Sequence, residues 1–236
     1  MATLSIYQII HTLDGVIFHL EQHLKLLFEA YYEIFGSGVR LQQPAIEEQI
    51  KAAIVRSRAP RGVSLFVRLE IFEGGKIVIT ESDRSLYCGY SLRCISPRAA
   101  LVDFAIPHIT CPTSVREQAV ALANVAARRK GCDLALRRSG DYIDMVNGAQ
   151  IFAAKGEVVI TATDSYSVEH QFAKQLLKNE GVNLVERPIR ADELTTFDEL
   201  FFIDHHGVTA LKGCESAYYM SITASSVATL LSRFIG

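Results

Sequence analysis

Four histidines, a cysteine and a few hydroxyls are the side chains of this 236-residue chain best suited to chemistry. Asp204, His205 and His206 follow the apolar run "ELFFI", which puts one carboxylate and two imidazoles at the end of a strand. Neutral imidazole and carboxylate ligate metals, and His170 with His206 and one carboxylate would form an open site with three protein ligands. None of these histidines is paired at helical i, i+4 spacing. Histidines hydrogen-bonded at a loop are therefore the weightier reading, and no metal is expected. A nucleophilic site would use Cys111 or Ser114 with His108 or His170 as base. The flanks of Cys111, "HIT" before it and proline after it, match no cysteine-hydrolase signature. Tyr7, Arg68 and Tyr87 could hold a small carboxylate. Arg68 alternates with Val67 and Leu69 on a strand, so a solvated side chain is an equal reading.

The hydrophobic pattern predicts the elements that position these groups. "FHLEQHLKLLFEAYYEIFGSG" places Leu20, Leu24, Leu27, Phe28, Tyr31 and Ile34 on one helical face and ends at glycine. A second helix follows Pro44. "VSLFVRLEIFEGGKIVITES" reads as a hairpin turning at Gly74 and Gly75, and "YSLRCIS" as a further strand. These elements make an α+β N-terminal lobe over residues 1–104. The proline-bearing segment 105–112 is a linker and cleft lining, and residues 113–236 form a second α+β lobe. Its first helix, Ser114 to Lys130, carries a stripe of Val115, Ala119, Leu122, Ala123 and Ala126. Strands at "DLALRRS", "YIDMV", "AQIFAAKG", "EVVITAT" and "DELFFID" and helices near Ser167–Asn179 and at "SSVATLLSRF" complete it.

Composition narrows the class. Nearly half the residues are apolar (49%) and 21% are charged, the balance of a globular protein with one or two cores. A net charge of −2 gives no electrostatic reason to expect nucleic acid or an anionic membrane. No apolar run reaches membrane-spanning length and no export signal is visible at the N-terminus, so a cytoplasmic location is expected. Five scattered cysteines without CxxC spacing read as reduced thiols.

The segment "TSVREQAVALANVAARRKGCDLALRRSGDYIDMVNGAQIF" resembles the active-site region of class IV aminotransferases, the fold type IV pyridoxal-phosphate enzymes. These include branched-chain and D-amino-acid aminotransferases and aminodeoxychorismate lyase. "LEQHLKLLFEA" is similar to the family's first helix, and "NEGVNLVERPIRADELTTFDELFFIDHH" to a later segment, with Glu186, Leu194, Glu199 and Phe201 on matching positions. The resemblance implies a two-lobed class IV aminotransferase-like (D-amino-acid aminotransferase-like) α+β fold. It also implies a homodimer, whose buried surface the apolar strands "LSIYQII" and "VSLFVRLEIF" could supply.

Laid on the family pattern, the cofactor's contacts are missing. The lysine that would form the imine lies eighteen residues before Gly131, where this chain has Thr113. The pyridinium glutamate falls on Met145, with Asp144 one place off and therefore on the opposite strand face. The phosphate arginine falls on Leu26, and the phosphate-binding turn on Ser167, Val168, Glu169 and His170, after a loop from Asp164 that is shorter and acidic. The threonine pair falls on His205 and His206. Family geometry would bring Arg68, Cys111, Thr113, Ser114, His170, His205 and His206 toward one cleft, narrower or more polar than in active relatives. The reading is thus an inactive or repurposed paralogue that binds a small-molecule ligand without pyridoxal phosphate (PLP). Two alternatives stay open: a PLP-dependent transaminase or lyase whose lysine lies in another register, and a protein-interaction subunit with a filled cleft.

Overall fold

The computed structural model describes residues 4–86, 90–106 and 110–233. Tyr87, Cys88 and His108 lie outside the described residues. Strands β1 (Ser5–Leu13), β2 (Val16–Ile17), β3 (Ser64–Phe72) and β4 (Ile77–Ser85) form an antiparallel sheet ordered β2-β1-β3-β4. Helices α1 (Leu20–Phe35) and α2 (Gln43–Ser57) cover it. Ile6 and Ile10 of β1 and Leu65, Leu69 and Ile71 of β3 meet Leu24 and Leu27 of α1 and Ile46 and Ile50 of α2 in one core. Each apolar chain buried there is worth about 1.5–3 kcal/mol. The apolar strands "LSIYQII" and "VSLFVRLEIF" are therefore central strands of their own sheet. Most of their hydrophobic side chains are buried inside the chain, while Leu4 is 37% exposed.

The second sheet is larger. Its elements are β5 (Arg98–Asp103), α3 (Ser114–Arg129), β6 (Leu134–Ser139), β7 (Tyr142–Val146), β8 (Ala149–Lys155), β9 (Val158–Thr161), α4 (Val168–Asn179), β10 (Asn183–Glu186), β11 (Ile189–Arg190), a 3-10 turn at Ala191–Thr196, β12 (Glu199–Asp204), β13 (Gly207–Ala210), β14 (Gly213–Cys214), β15 (Ala217–Tyr218) and α5 (Ile222–Ser232). The sheet runs β10-β9-β8-β7-β6-β5-β14-β15, with β11 on β7 and the β12–β13 hairpin on β8. α4 and α5 pack on its hairpin side through Ala173, Leu177, Val227 and Leu231. Small residues bring α3 close to β5 and β6: Ala123 and Ala127 meet Ala100 and Ala135.

The structure departs from the sequence reading in four places. β5, assigned above to the first lobe, pairs with β6 and β14 of the second sheet. "YSLRCIS" forms no strand; it makes a single bridge, Leu92 to Val208. There Ser91 O packs on Gly207 so closely that a Cβ would collide with it, and Pro97 then removes a ladder donor. Phe28 is 48% exposed, pointing away from the face set by Leu24, Leu27 and Tyr31. On α3 the buried positions are Arg116, Val120, Ala123, Asn124 and Ala127, whereas Val115 and Leu122 face solvent. The anticipated stripe was rotated by about one residue, some 100° on the helix. The small-residue pattern is too weak to fix the phase against two polar residues that point inward.

Glu199 is the clearest structural tie in the second sheet. Only 2% exposed at the start of β12, it accepts hydrogen bonds from Thr223 N (2.7 Å) and Ala224 N (3.0 Å), the first amides of α5. Glu199→Ala leaves those buried donors without a partner and is expected to destabilise the protein by about 2–3 kcal/mol. Glu199→Gln should lose less. Urea denaturation of the two variants checks this, and an Ala variant within experimental error of wild type would contradict it.

Candidate functional site

A cavity of about 330 Å³ opens where the two sheets meet. Its walls come from β1, the first half of α3, the β7–β8 turn, the first turn of α4 and the end of β12. The sheets are stitched beside it by an Ile6–Thr113 bridge and by Tyr7 N donating to Pro112 O at 3.0 Å. Ser5 N donates to Ser114 Oγ at 3.2 Å.

Arg116 lies in the α3 wall. Thr113 is the N-cap of α3, its hydroxyl accepting from Arg116 N at 3.0 Å. The Arg116 guanidinium is buried and donates to Gly148 O, and although burial lowers its pKa, an arginine remains a cation. Asn147 and Gly148, both at positive φ, form the tight turn that presents this carbonyl. Asn124 fixes the turn: its Nδ2 donates to Asn147 Oδ1 and its Oδ1 accepts from Ala135 N. The carboxylates around this wall already have cations. Arg68 pairs with Glu117 (3.0 Å) and Glu70 (3.1 Å), and Arg137 pairs with Asp144. The Tyr7 ring lies under the Arg68 guanidinium, 3.7 Å from it, and burial pushes its hydroxyl pKa up to about 12.

The α4 wall is acidic and uncharged by turns. Burial raises Glu169 to about 7 against hydrogen bonds from its own backbone N–H and the Ser167 hydroxyl, with Asp204 adding to the rise. Burial, the largest single influence, would raise Asp204 too, but hydrogen bonds from His206 and the nearby His205 and His206 rings together outweigh it and its pKa is lowered. Burial opposes the charged form of His206, yet hydrogen bonds with Asp204 and Asp83 raise its pKa; Nε2 lies 3.0 Å from Asp83 Oδ2 on β4. His205, its ring tilted 40° against that of His206 with centroids 4.1 Å apart, is lowered by burial to about 4.

Of the residues singled out in the sequence, Tyr7, Asp204, His205 and His206 line the cavity; Arg68, Cys111, Thr113, Ser114 and His170 do not. Cys111 is 3% exposed in the first core, and burial pushes its thiol up to about 11, the opposite of an activated nucleophile. His170 is fully buried. Thr161 donates its hydroxyl to Ile151 O, so His170 Nε2 donates to Thr161 Oγ1 at 2.8 Å and Nδ1 accepts from Ser165 Oγ at 2.7 Å. That is one neutral tautomer with both nitrogens used. Among the described residues no group of three or more His, Cys, Asp or Glu is arranged to hold a metal. Arg116, Asn124, Asn147 and Tyr166 of the lining were missed by sequence reasoning. The Asn-Gly pair was the one local signal, since it marks a tight hairpin.

The class IV amino-transferase family model matches residues 5–205, most of the chain. The chain belongs to this family. Among solved structures, the branched-chain aminotransferase of Thermoproteus uzoniensis superposes with a TM-score of 0.82 at 17% identity, covering 98% of this chain and 85% of that one. A Brucella abortus aminotransferase bound to PLP gives 0.82 at 13% identity, covering 98% and 89%. A putative 4-amino-4-deoxychorismate lyase from Legionella pneumophila gives 0.81 at 11%, covering 97% and 90%. No curated protein matches by sequence. The architecture is thus the class IV aminotransferase-like α+β fold. No helix among the described residues is long and apolar enough to cross a membrane.

The described lining does not fit pyridoxal phosphate. It contains no lysine. Lys174, the interior lysine nearest α4's start, is paired with Glu186 and donates to Ala162 O and Thr163 O. Lys130 donates to Leu101 O beyond the far end of α3. Met145 is 1% exposed and offers no carboxylate.

These neutral histidines make stability depend on pH. His11, His23, His170 and His205 are lowered by burial to about 4, 3, 3 and 4 from 6.5. Between 6.5 and 4 the unfolded chain binds more protons at these sites, so their contribution is lost as pH falls. Glu169, raised from 4.5 to about 7, works the other way, favouring folding as pH falls from 7 to 4.5. Four histidines outweigh one glutamate. Unfolding free energy is expected to drop by at least about 3 kcal/mol from pH 6.5 to 4.5, read by urea melts. A flat profile would mean these imidazoles are charged in the fold.

Proposed function

We propose that this protein is a class IV aminotransferase-family member that binds a small polar ligand in the interlobe cavity without forming an imine to PLP. The observation that supports this most directly is at the start of α3. Where the resemblance expects a lysine, the Thr113 hydroxyl is used as the helix cap, and the cation nearest the cavity is Arg116, three residues on. A guanidinium holds anions through charge-assisted hydrogen bonds and is not a Schiff-base nucleophile at neutral pH. The anionic group of the ligand is expected to sit at Arg116 and Tyr7, near the polar Asn147–Gly148 turn. Polar groups on every wall favour a ligand of small volume with more than one hydrogen-bonding group.

The purified protein should show no absorbance band near about 410–430 nm, and borohydride treatment with PLP should leave its intact mass unchanged. One stoichiometric adduct on a lysine would restore the transaminase or lyase reading. Small carboxylates should raise the melting temperature, and Arg116→Met should weaken that binding by about 10–100-fold.

We also propose a cytoplasmic homodimer, for which the exposed Val115, Leu122 and Val125 of α3 are better candidates for contact than the strands of the first sheet. Sedimentation equilibrium is expected to give twice the chain mass of 26.1 kDa. A monomer at micromolar concentration would rule the assembly out and leave the ligand reading untouched.

A further inference from the structure

The α4 wall of the cavity carries a group that the proposed ligand contacts do not use. Glu169 is in the first turn of α4, faces the cavity and is 7% exposed. Its carboxyl lies against its own backbone N–H and the Ser167 hydroxyl. First-turn amides of a helix have no partner within the helix and carry its positive end, so they are the natural donors for an anion. Here part of that demand is met from within the chain. His170 N, also in this first turn, is taken by Ser167 Oγ at 3.1 Å.

We propose that Glu169 is a specificity determinant: a tethered carboxyl that fills the anion position at the start of α4 and, with Asp204 beside it, bars ligands that present a phosphate group to this cavity. Protonation does not lift the bar, because the neutral carboxyl still occupies the same donors. Ionisation strengthens it, because a phosphate dianion then meets two carboxylates inside a partly dry cavity. The α4 and β12 walls around Glu169 add no permanent cation to offset this, and Arg116 on the α3 wall is engaged with Gly148 O. Asp204 and the neutral His205 come from the end of β12 and its turn, His206 is engaged with Asp204 and Asp83, and Tyr90 packs nearby. The misfit between this lining and a phosphorylated cofactor is thereby an active exclusion by one side chain, beyond the loss of a lysine.

The inference shares with the proposed function the premise of a cavity without PLP, and the two fail separately. An imine band in the wild type would overturn the proposed function; wild-type phosphate binding tighter than that of a small carboxylate, with no such band, would overturn only the exclusion. The test is calorimetric titration of the full chain with inorganic phosphate, alongside thermal shift. Wild type is expected to bind phosphate no more tightly than it binds a small carboxylate at Arg116. Glu169→Ala, which empties the position, should bind phosphate at least about tenfold more tightly than wild type. Glu169→Gln, which keeps the side chain in place, should resemble wild type. Glu169→Ser repeats the experiment if the Ala variant fails to fold. Folded Ala and Ser variants that gain no phosphate binding, or a Gln variant that gains as much as Ala, would overturn the proposal.

Discussion

The contact on which the rest of the molecule depends is the short seam where β1 runs past the residues that open α3. Ile6 bridges Thr113, Tyr7 N donates to Pro112 O, and Ser5 N reaches Ser114 Oγ. Backbone bonds of this kind fix both distance and register between two sheets that otherwise have separate cores. With the seam in place, the start of α3 is determined, the Thr113 cap sets its first turn, and Arg116 is directed to the Gly148 carbonyl. Arg68 then closes the same junction, bridging β3 to Glu117 while lying over Tyr7. The seam also brings β4 within reach of the β12–β13 turn, where His206 meets Asp83 and Phe66 packs on both histidines.

Burial decides the chemistry of the groups gathered there. Polar side chains taken from water must be paired or lose their charge. His11 pairs with Ser64 at 2.8 Å, His23 with Gln8 at 2.8 Å, and His170 with two hydroxyls; burial keeps all three neutral. His206 alone of the described histidines has its pKa raised, because two carboxylates face it. Asp204 stays ionised because His205 and His206 lower its pKa, whereas Glu169 beside it is raised by burial and by Asp204 itself. Histidines and acids that look alike in sequence therefore have opposite states in the fold.

That difference explains what was legible beforehand. The helices α1, α2, α4 and α5 follow from strong apolar periodicity or clear stop signals, and the β3–β4 hairpin from Gly74 and Gly75 at positive φ. Family membership rested on order and spacing, which survive when individual contacts change. The phase of α3 was not legible: alanines tolerate either face, and burying Arg116 and Asn124 requires partners, Gly148 and Ala135, that come from distant strands. Nor was the partition of the histidines. His170 and His206 are both plausible ligands by type, yet one is enclosed by Thr161 and Ser165 while the other reaches the first sheet.

Thr113 and Glu169 show how helix starts in this fold are satisfied from within the chain. Thr113 caps α3 by accepting from Arg116 N. At the start of α4 the Ser167 hydroxyl accepts from His170 N, and the Glu169 carboxyl lies against its own backbone N–H. The same overall fold is found at 11–17% identity in the relatives named above. In this chain it is held by hydrogen-bond satisfaction at these helix starts and by packing between them.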